Sequence, residues 1–289
     1  MVCSPRTISR SSILFWFSLL VWLIMSLWQP ASARLPSESE LPMSQHNFQG
    51  FVPRGAERDG EEDLDANLIR IMVHPTLFGV IDQVIDAFQV HHPEARFRIH
   101  QGDQTELNRL LEEFTMFDIV FSGEIADAVQ LVVRRQASES KVLAVGRLAL
   151  WAPLESARSM RVLELQPEGR ISLPLASSPY HRAAREVLQR HELEEVYAQR
   201  LRTTRLNEDQ FELIRSRQTP AGIIEYHRLV LAGVHQQRDV LKIPANHHGS
   251  ITHSATLMKD SQGRELANLF WDYVFSDRGQ RIFRESGFD

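Results

Sequence analysis

From residue 68 onward the apolar positions switch period again and again. Leu68-Ile69-Arg70-Ile71-Met72-Val73 is a nearly unbroken apolar run of buried-strand length, stopped by His74-Pro75-Thr76. Val80, Ile81, Val84, Ile85 and Phe88 then recur at helical spacing up to His91-His92-Pro93. Residues 95–100 read as a second strand. Asp103-Gln104-Thr105-Glu106 fits a capping box ahead of Leu107, Leu110 and Leu111. Residues 117–121 are a third strand, followed by Ser122-Gly123-Glu124 and another helical stretch. Further strands are expected over 143–151, 171–175, 221–226, 240–244 and 250–258. Residues 197–204 resume extended chain, and one or two closing helices fill 263–286. Strands alternating with helices in this way predict an α/β fold with parallel strands.

Four helix starts follow strands or extended chain: Thr76, Asp103, Ser178 and Asn207. The clearest lies within residues 171–191, where Ser178 suits an N-cap, Pro179 the first helical position, and Ala183, Val187 and Leu188 the buried face. A strand ending in Ser-Ser-Pro presents hydroxyls, free N–H groups and the positive end of a helix dipole, which together suit an anion. One such junction alone is an ordinary capped turn. Four of them, two from each half of the body, predict a cleft between two lobes at the carboxyl ends of strands.

The segment before residue 68 is different in kind. Arg6 and Arg10 precede an apolar run over 13–28, and Ala31-Ser32-Ala33 is a small-x-small cleavage pattern, so residues 1–33 read as a signal peptide or an N-terminal membrane anchor. Residues 34–67 are poor in aliphatic side chains and end in Glu61-Glu62-Asp63-Leu64-Asp65, the composition of a flexible tether. The expected location is periplasmic, free or tethered to the inner membrane. Cys3 is the sole cysteine, which excludes disulfides and cysteine metal sites from the exported part. Acids outnumber bases, 37 to 32, against nucleic acid as a partner. No nucleophile elbow, P-loop or dinucleotide fingerprint is present, so no enzyme, cofactor or catalytic residue is expected.

Several stretches resemble the periplasmic molybdate-binding proteins, the solute-binding components of ABC importers. They are Gly-Arg-Leu-Ala-Leu-Trp-Ala-Pro at 146–153, Ser-Pro-Tyr-His-Arg-Ala-Ala-Arg-Glu-Val-Leu at 178–188, Pro-Ala-Gly-Ile-Ile at 220–224 and the tail over 269–288. The resemblance implies a type II periplasmic-binding fold: two lobes joined by two crossovers, with residues 68–146 plus 244–289 in one and 147–243 in the other. It implies a monomeric receptor with an oxyanion ligand such as molybdate or tungstate, held by hydroxyls and backbone N–H groups, and an ABC permease as partner. Carried over by position, Thr76 replaces a ligand serine, while Tyr180, beside Ser178, and Asn207 supply backbone donors.

Two positions depart from the family pattern. Gln104, beside Asp103, stands where a second ligand hydroxyl belongs, and Glu225 stands where many members have tyrosine, with Tyr226 one residue on. A carboxylate about 4 Å from an anionic charge costs about 4 kcal/mol at an effective dielectric near 20, about three decades of affinity. Glu225 is therefore compatible with an oxyanion only if it turns away and lets Tyr226 face inward. Two alternatives stay open: the same clamp retuned to a cation or small organic ligand, with His74, His181, Asp103 and Glu225 as candidate groups, and a membrane-tethered sensory or interaction protein.

Overall fold

A computed structural model describes residues 52–53, 66–113, 115–153, 157, 159–164, 169–205, 208–261 and 264–289. The expected leader over 1–33, most of the expected tether and Asn207 lie outside the described residues. In chain order the strands are β1 (Val52–Pro53), β2 (Leu68–Val73), β3 (Arg96–Gln101), β4 (Ile119–Ser122), β5 (Ala137–Gly146), β6 (Leu148–Trp151), β7 (Ile171–Leu173), β8 (Leu201–Thr203), β9 (Ala221–Glu225), β10 (Val240–Lys242) and β11 (Ile251–Met258). The helices are α1 (Phe78–Gln89), α2 (Gln104–Glu112), α3 (Ile125–Val133), α4 (Arg161–Glu164), α5 (Pro179–Arg190), α6 (Glu194–Tyr197), α7 (Gln210–Arg215), α8 (Tyr226–Leu231), α9 (Glu265–Phe275) and α10 (Asp277–Glu285).

The strands form two mixed sheets, ordered β1-β3-β2-β4-β11-β5 and β10-β6-β9-β7-β8. Each has a parallel trio at its heart, β3-β2-β4 in the first and β8-β7-β9 in the second. These trios are the βαβ units that the alternating pattern predicts. Antiparallel partners flank them: β11 and β5 in the first sheet, β6 and β10 in the second. Each sheet is the centre of a lobe with its own apolar core, and both lobes fall within one unit, Phe48–Asp289. The closing helices α9 and α10 pack on the first sheet through Ala267, Phe270, Trp271, Val274 and Phe283.

Several element boundaries differ from the sequence expectation. Helix α1 does not begin at Thr76: a 3₁₀ turn, Pro75–Leu77, comes first, and its N-cap is the His74 ring. The extended segment expected over 143–151 is two strands in different sheets, parted at Arg147. Tyr197 ends the short helix α6 rather than opening a strand. Helix α7 is capped by Asp209, whose carboxylate accepts the Phe211 N–H. Val52–Pro53, inside the stretch expected as tether, pairs antiparallel with β3. The first crossover runs from Gly146 to Leu148 and the second spans 243–250. Asp289 closes onto the first: its N–H and C=O pair with those of Val145, and its carboxylate meets Arg147.

Candidate functional site

The carboxyl ends of β2, β3 and β4 converge on a small pocket that opens to solvent. Its polar lining is His74, Asp103, Gln104, Ser122 and Asp127; Met72, Leu107, Val120 and Phe121 form its floor and sides. No lysine or arginine is among its lining residues.

His74 is placed by the end of β2, where its N–H donates to the Phe121 carbonyl at 2.9 Å. Its Nδ1 lies 2.8 Å from the Thr76 hydroxyl and accepts the Thr76 N–H at 3.4 Å. The backbone bond assigns the ring proton to Nε2. Burial pushes this imidazole down to about 4, against the pull of Asp103, so at neutral pH it is an uncharged donor. The ring lies across Gly123, where a Cβ would come within 2.8 Å of it; only glycine admits this close approach.

Asp103 is the N-cap of α2, its Oδ1 accepting from Thr105 N at 3.0 Å and Glu106 N at 3.2 Å. That bond turns the carboxylate toward its own helix. Gln104 lies beside it and donates to Asn108 at 3.2 Å. The Ser122 hydroxyl is buried without a hydrogen-bond partner, a state that a bound solute would relieve. Asp127, in the first turn of α3, has its pKa raised to about 6 by burial, with Glu124 and Asp103 as neighbouring like charges.

In the second lobe, Ser178 caps α5 and accepts the Tyr180 N–H at 3.3 Å. The backbone donor expected to meet a ligand is therefore engaged by the cap. The Tyr180 ring is fully buried, with its hydroxyl 2.8 Å from His253 Nε2 and 3.5 Å from His227 Nδ1. Glu225 is also buried, and its Oε2 has no hydrogen-bond partner. Burial raises its pKa, with Arg228 pulling the other way. Tyr226 goes elsewhere. Its N–H donates to Arg147 O at 2.8 Å and its ring lies under the Lys242 ammonium, 4.7 Å away. Across the lobes, Glu124 at the start of α3 pairs with Arg182 of α5 at 3.4 Å.

Of the residues singled out in the sequence, Asp103 and Gln104 line the pocket and Thr76 stands behind His74. Ser178, Tyr180 and Glu225 gather on the second lobe, Tyr226 points away from them, and Asn207 lies outside the described residues. His181 is tied to the Pro174 carbonyl at 2.9 Å and does not line the pocket. Among the described residues no three His, Cys, Asp or Glu side chains gather as metal ligands. Ser122, Asp127, His227 and His253 are not among the site residues singled out in the sequence. A signal existed for the first two: Ser122-Gly123-Glu124 ends a strand and opens a helix, the same junction as the four that were counted.

Two α/β lobes, each a mixed sheet with flanking helices, joined by two crossovers, define a periplasmic-binding-protein fold. The chain belongs to the bacterial extracellular solute-binding protein family, whose model matches residues 69–289. Among solved structures it is similar to the periplasmic molybdate-binding protein of Azotobacter vinelandii, with a TM-score of 0.67 at 17% identity over 76% of this chain and 98% of that one. It is also similar to the substrate-binding domain of a putative molybdenum ABC transporter from Clostridium difficile, with a TM-score of 0.62 at 18% identity over 77% and 98%. Iron-bound HitA from Pseudomonas aeruginosa aligns with a TM-score of 0.57 at 14% identity over 76% and 85%. No curated protein matches the chain in sequence.

Proposed function

We propose that the chain is the extracytoplasmic receptor of an ABC importer and that its solute is a small acid or oxyanion that keeps a proton when bound. The observation that carries this is the composition of the pocket. The His74 Nε2–H, the Gln104 amide and the unpartnered Ser122 hydroxyl supply donors for an oxygen-rich solute, yet Asp127 shares the lining and no cationic side chain does. An ionised carboxylate about 4 Å from a full dianion is repelled by about 4 kcal/mol per anionic charge at an effective dielectric near 20. A solute that still bears an O–H instead donates to that carboxylate, and repulsion becomes a charge-assisted hydrogen bond. The molybdate-binding neighbours support a scaffold suited to tetrahedral oxyanions; Asp127 narrows the reading toward a protonated one.

Calorimetry with inorganic phosphate, sulfate and molybdate on wild type and Asp127→Asn tests this. Phosphate, which retains a proton at neutral pH, should bind at least about tenfold tighter than the two dianions, a gap of about 1.4 kcal/mol. Asp127→Asn should close that gap. Submicromolar molybdate binding by the wild type would overturn the proposal and restore a plain molybdate receptor.

A further inference from the structure

Both crossovers and the last residues of the described chain converge on one hydroxyl group. Tyr180 belongs to the second lobe, in the first turn of α5, and is fully buried. Its hydroxyl reaches His253 Nε2 on β11, in the first lobe just beyond the second crossover, at 2.8 Å. The same hydroxyl presses on Gly146, the last residue of β5 before the first crossover. A Cβ there would overlap it, so the approach requires glycine. Phe288 completes the cluster, stacked on His227 at 4.7 Å and edge-on to His253 at 5.6 Å.

Both imidazoles in the cluster are neutral. Burial keeps His253 and His227 uncharged, the first down to about 3 and the second also well below its ordinary value. His253 Nδ1 is buried with no hydrogen-bond partner, while its Nε2 faces the Tyr180 hydroxyl. A neutral imidazole carries its proton on one nitrogen and presents the other as an acceptor, so each can pair with a phenolic hydroxyl. Of the two imidazole contacts to the Tyr180 hydroxyl, the one to His253 is the shorter, 2.8 Å against 3.5 Å. These contacts link His227, Tyr180 and His253 in one buried cluster.

We propose that Tyr180 is a positioning residue that sets the angle between the lobes, its hydroxyl bond to His253 being the strut that joins the two crossovers. It does not touch solute. Its effect is on how far the helix starts of one lobe stand from the pocket of the other. Removing the hydroxyl frees the rotation about residues 146–148 and 243–250 while leaving both sheets intact.

The test is the interlobe distance in the full chain. Spin labels on cysteines introduced at the exposed positions Glu112 and Gln189, in a Cys3→Ser background, report it by pulsed dipolar spectroscopy. Tyr180→Phe and His253→Gln should each shift the mean distance beyond the width of the parent distribution, and together shift it no further than either alone. Tyr197→Phe is the control for simple loss of a buried hydroxyl, since Tyr197 is equally buried but donates to Leu163 within one lobe. An unchanged distribution in both Tyr180→Phe and His253→Gln would overturn the proposal. So would an equal shift in Tyr197→Phe. If Tyr180→Phe fails to fold, His253→Gln decides alone. The readout needs no ligand, so its outcome is independent of which solute the receptor takes.

Discussion

Arg70 and Asp118 form a buried ion pair between neighbouring strands of the first lobe. The Arg70 guanidinium reaches the two carboxylate oxygens at 2.9 and 3.2 Å, and its own N–H donates to one of them at 2.8 Å. Their exposures are 3% and 0%, so neither charge is screened by water. Arg264 Nε stands a further 3.1 Å from the same carboxylate. Asp118→Ala leaves the buried Arg70 guanidinium without this counter-charge and should cost about 3–5 kcal/mol, read from urea unfolding. The paired replacement Arg70→Met with Asp118→Leu removes both charges of the strand pair and should cost less than Asp118→Ala alone.

Acid should unfold the protein early. His74, His227 and His253 are held below their ordinary value by burial, so between about 6.5 and their folded values only the unfolded chain binds their protons. Stability therefore rises with pH across this window and is lost as pH falls through it. Each such histidine contributes a slope of about 1.4 kcal/mol per pH unit. Asp127 and Glu225, both raised, act in the opposite direction and offset part of it. Melting temperature should drop steeply from pH 7 to pH 5, and His227→Gln should flatten the curve. A melting temperature that does not change with pH would sink this expectation.

Glu225 has the reverse sign. Its raised pKa means that the folded chain keeps a proton that the unfolded chain has already released, so wild-type stability falls as pH rises above the ordinary carboxylate range. Glu225→Gln fixes the neutral form at similar volume. The variant should match wild type near pH 4 and exceed it at pH 8, the gap growing by up to about 1.4 kcal/mol per pH unit until Glu225 ionises. Paired denaturant titrations at the two pH values measure it.

Gly146→Ala should destabilise by about 1–3 kcal/mol, the scale for forcing extra volume into a packed interior. The displaced group is the Tyr180 hydroxyl, so Gly146→Ala in a Tyr180→Phe background should cost distinctly less. A double-mutant cycle with no coupling would show that the contact has no energetic weight.

Much of the first lobe was legible because β2, β4 and α1 are buried on nearly every inward position and their apolar spacing is unambiguous. The caps at Asp103 and Ser178 were also legible, since capping is local chemistry between residues two or three apart. The start of β5, Ala-Ser-Glu-Ser-Lys, was not read as strand. It lies at the edge of its sheet with most side chains exposed and takes its conformation from pairing with β11, more than a hundred residues away. The pocket was half legible for the same reason. A helix start can be seen in sequence, but whether its N–H groups face a solute or their own cap, as at Tyr180, depends on three-dimensional placement. Nothing local marks His253 and Tyr180 as partners, because the contact joins two lobes.

The pairing of Asp289 with Val145 and Arg147 has a practical consequence for anyone handling this receptor. Asp289 is fastened to β5 and to Arg147, at the first crossover between the two sheets. An affinity tag or fluorescent protein fused directly at Asp289 would therefore start from that crossover, and its bulk would press on it. Affinities taken with such fusions would mix the properties of the receptor with those of its handle.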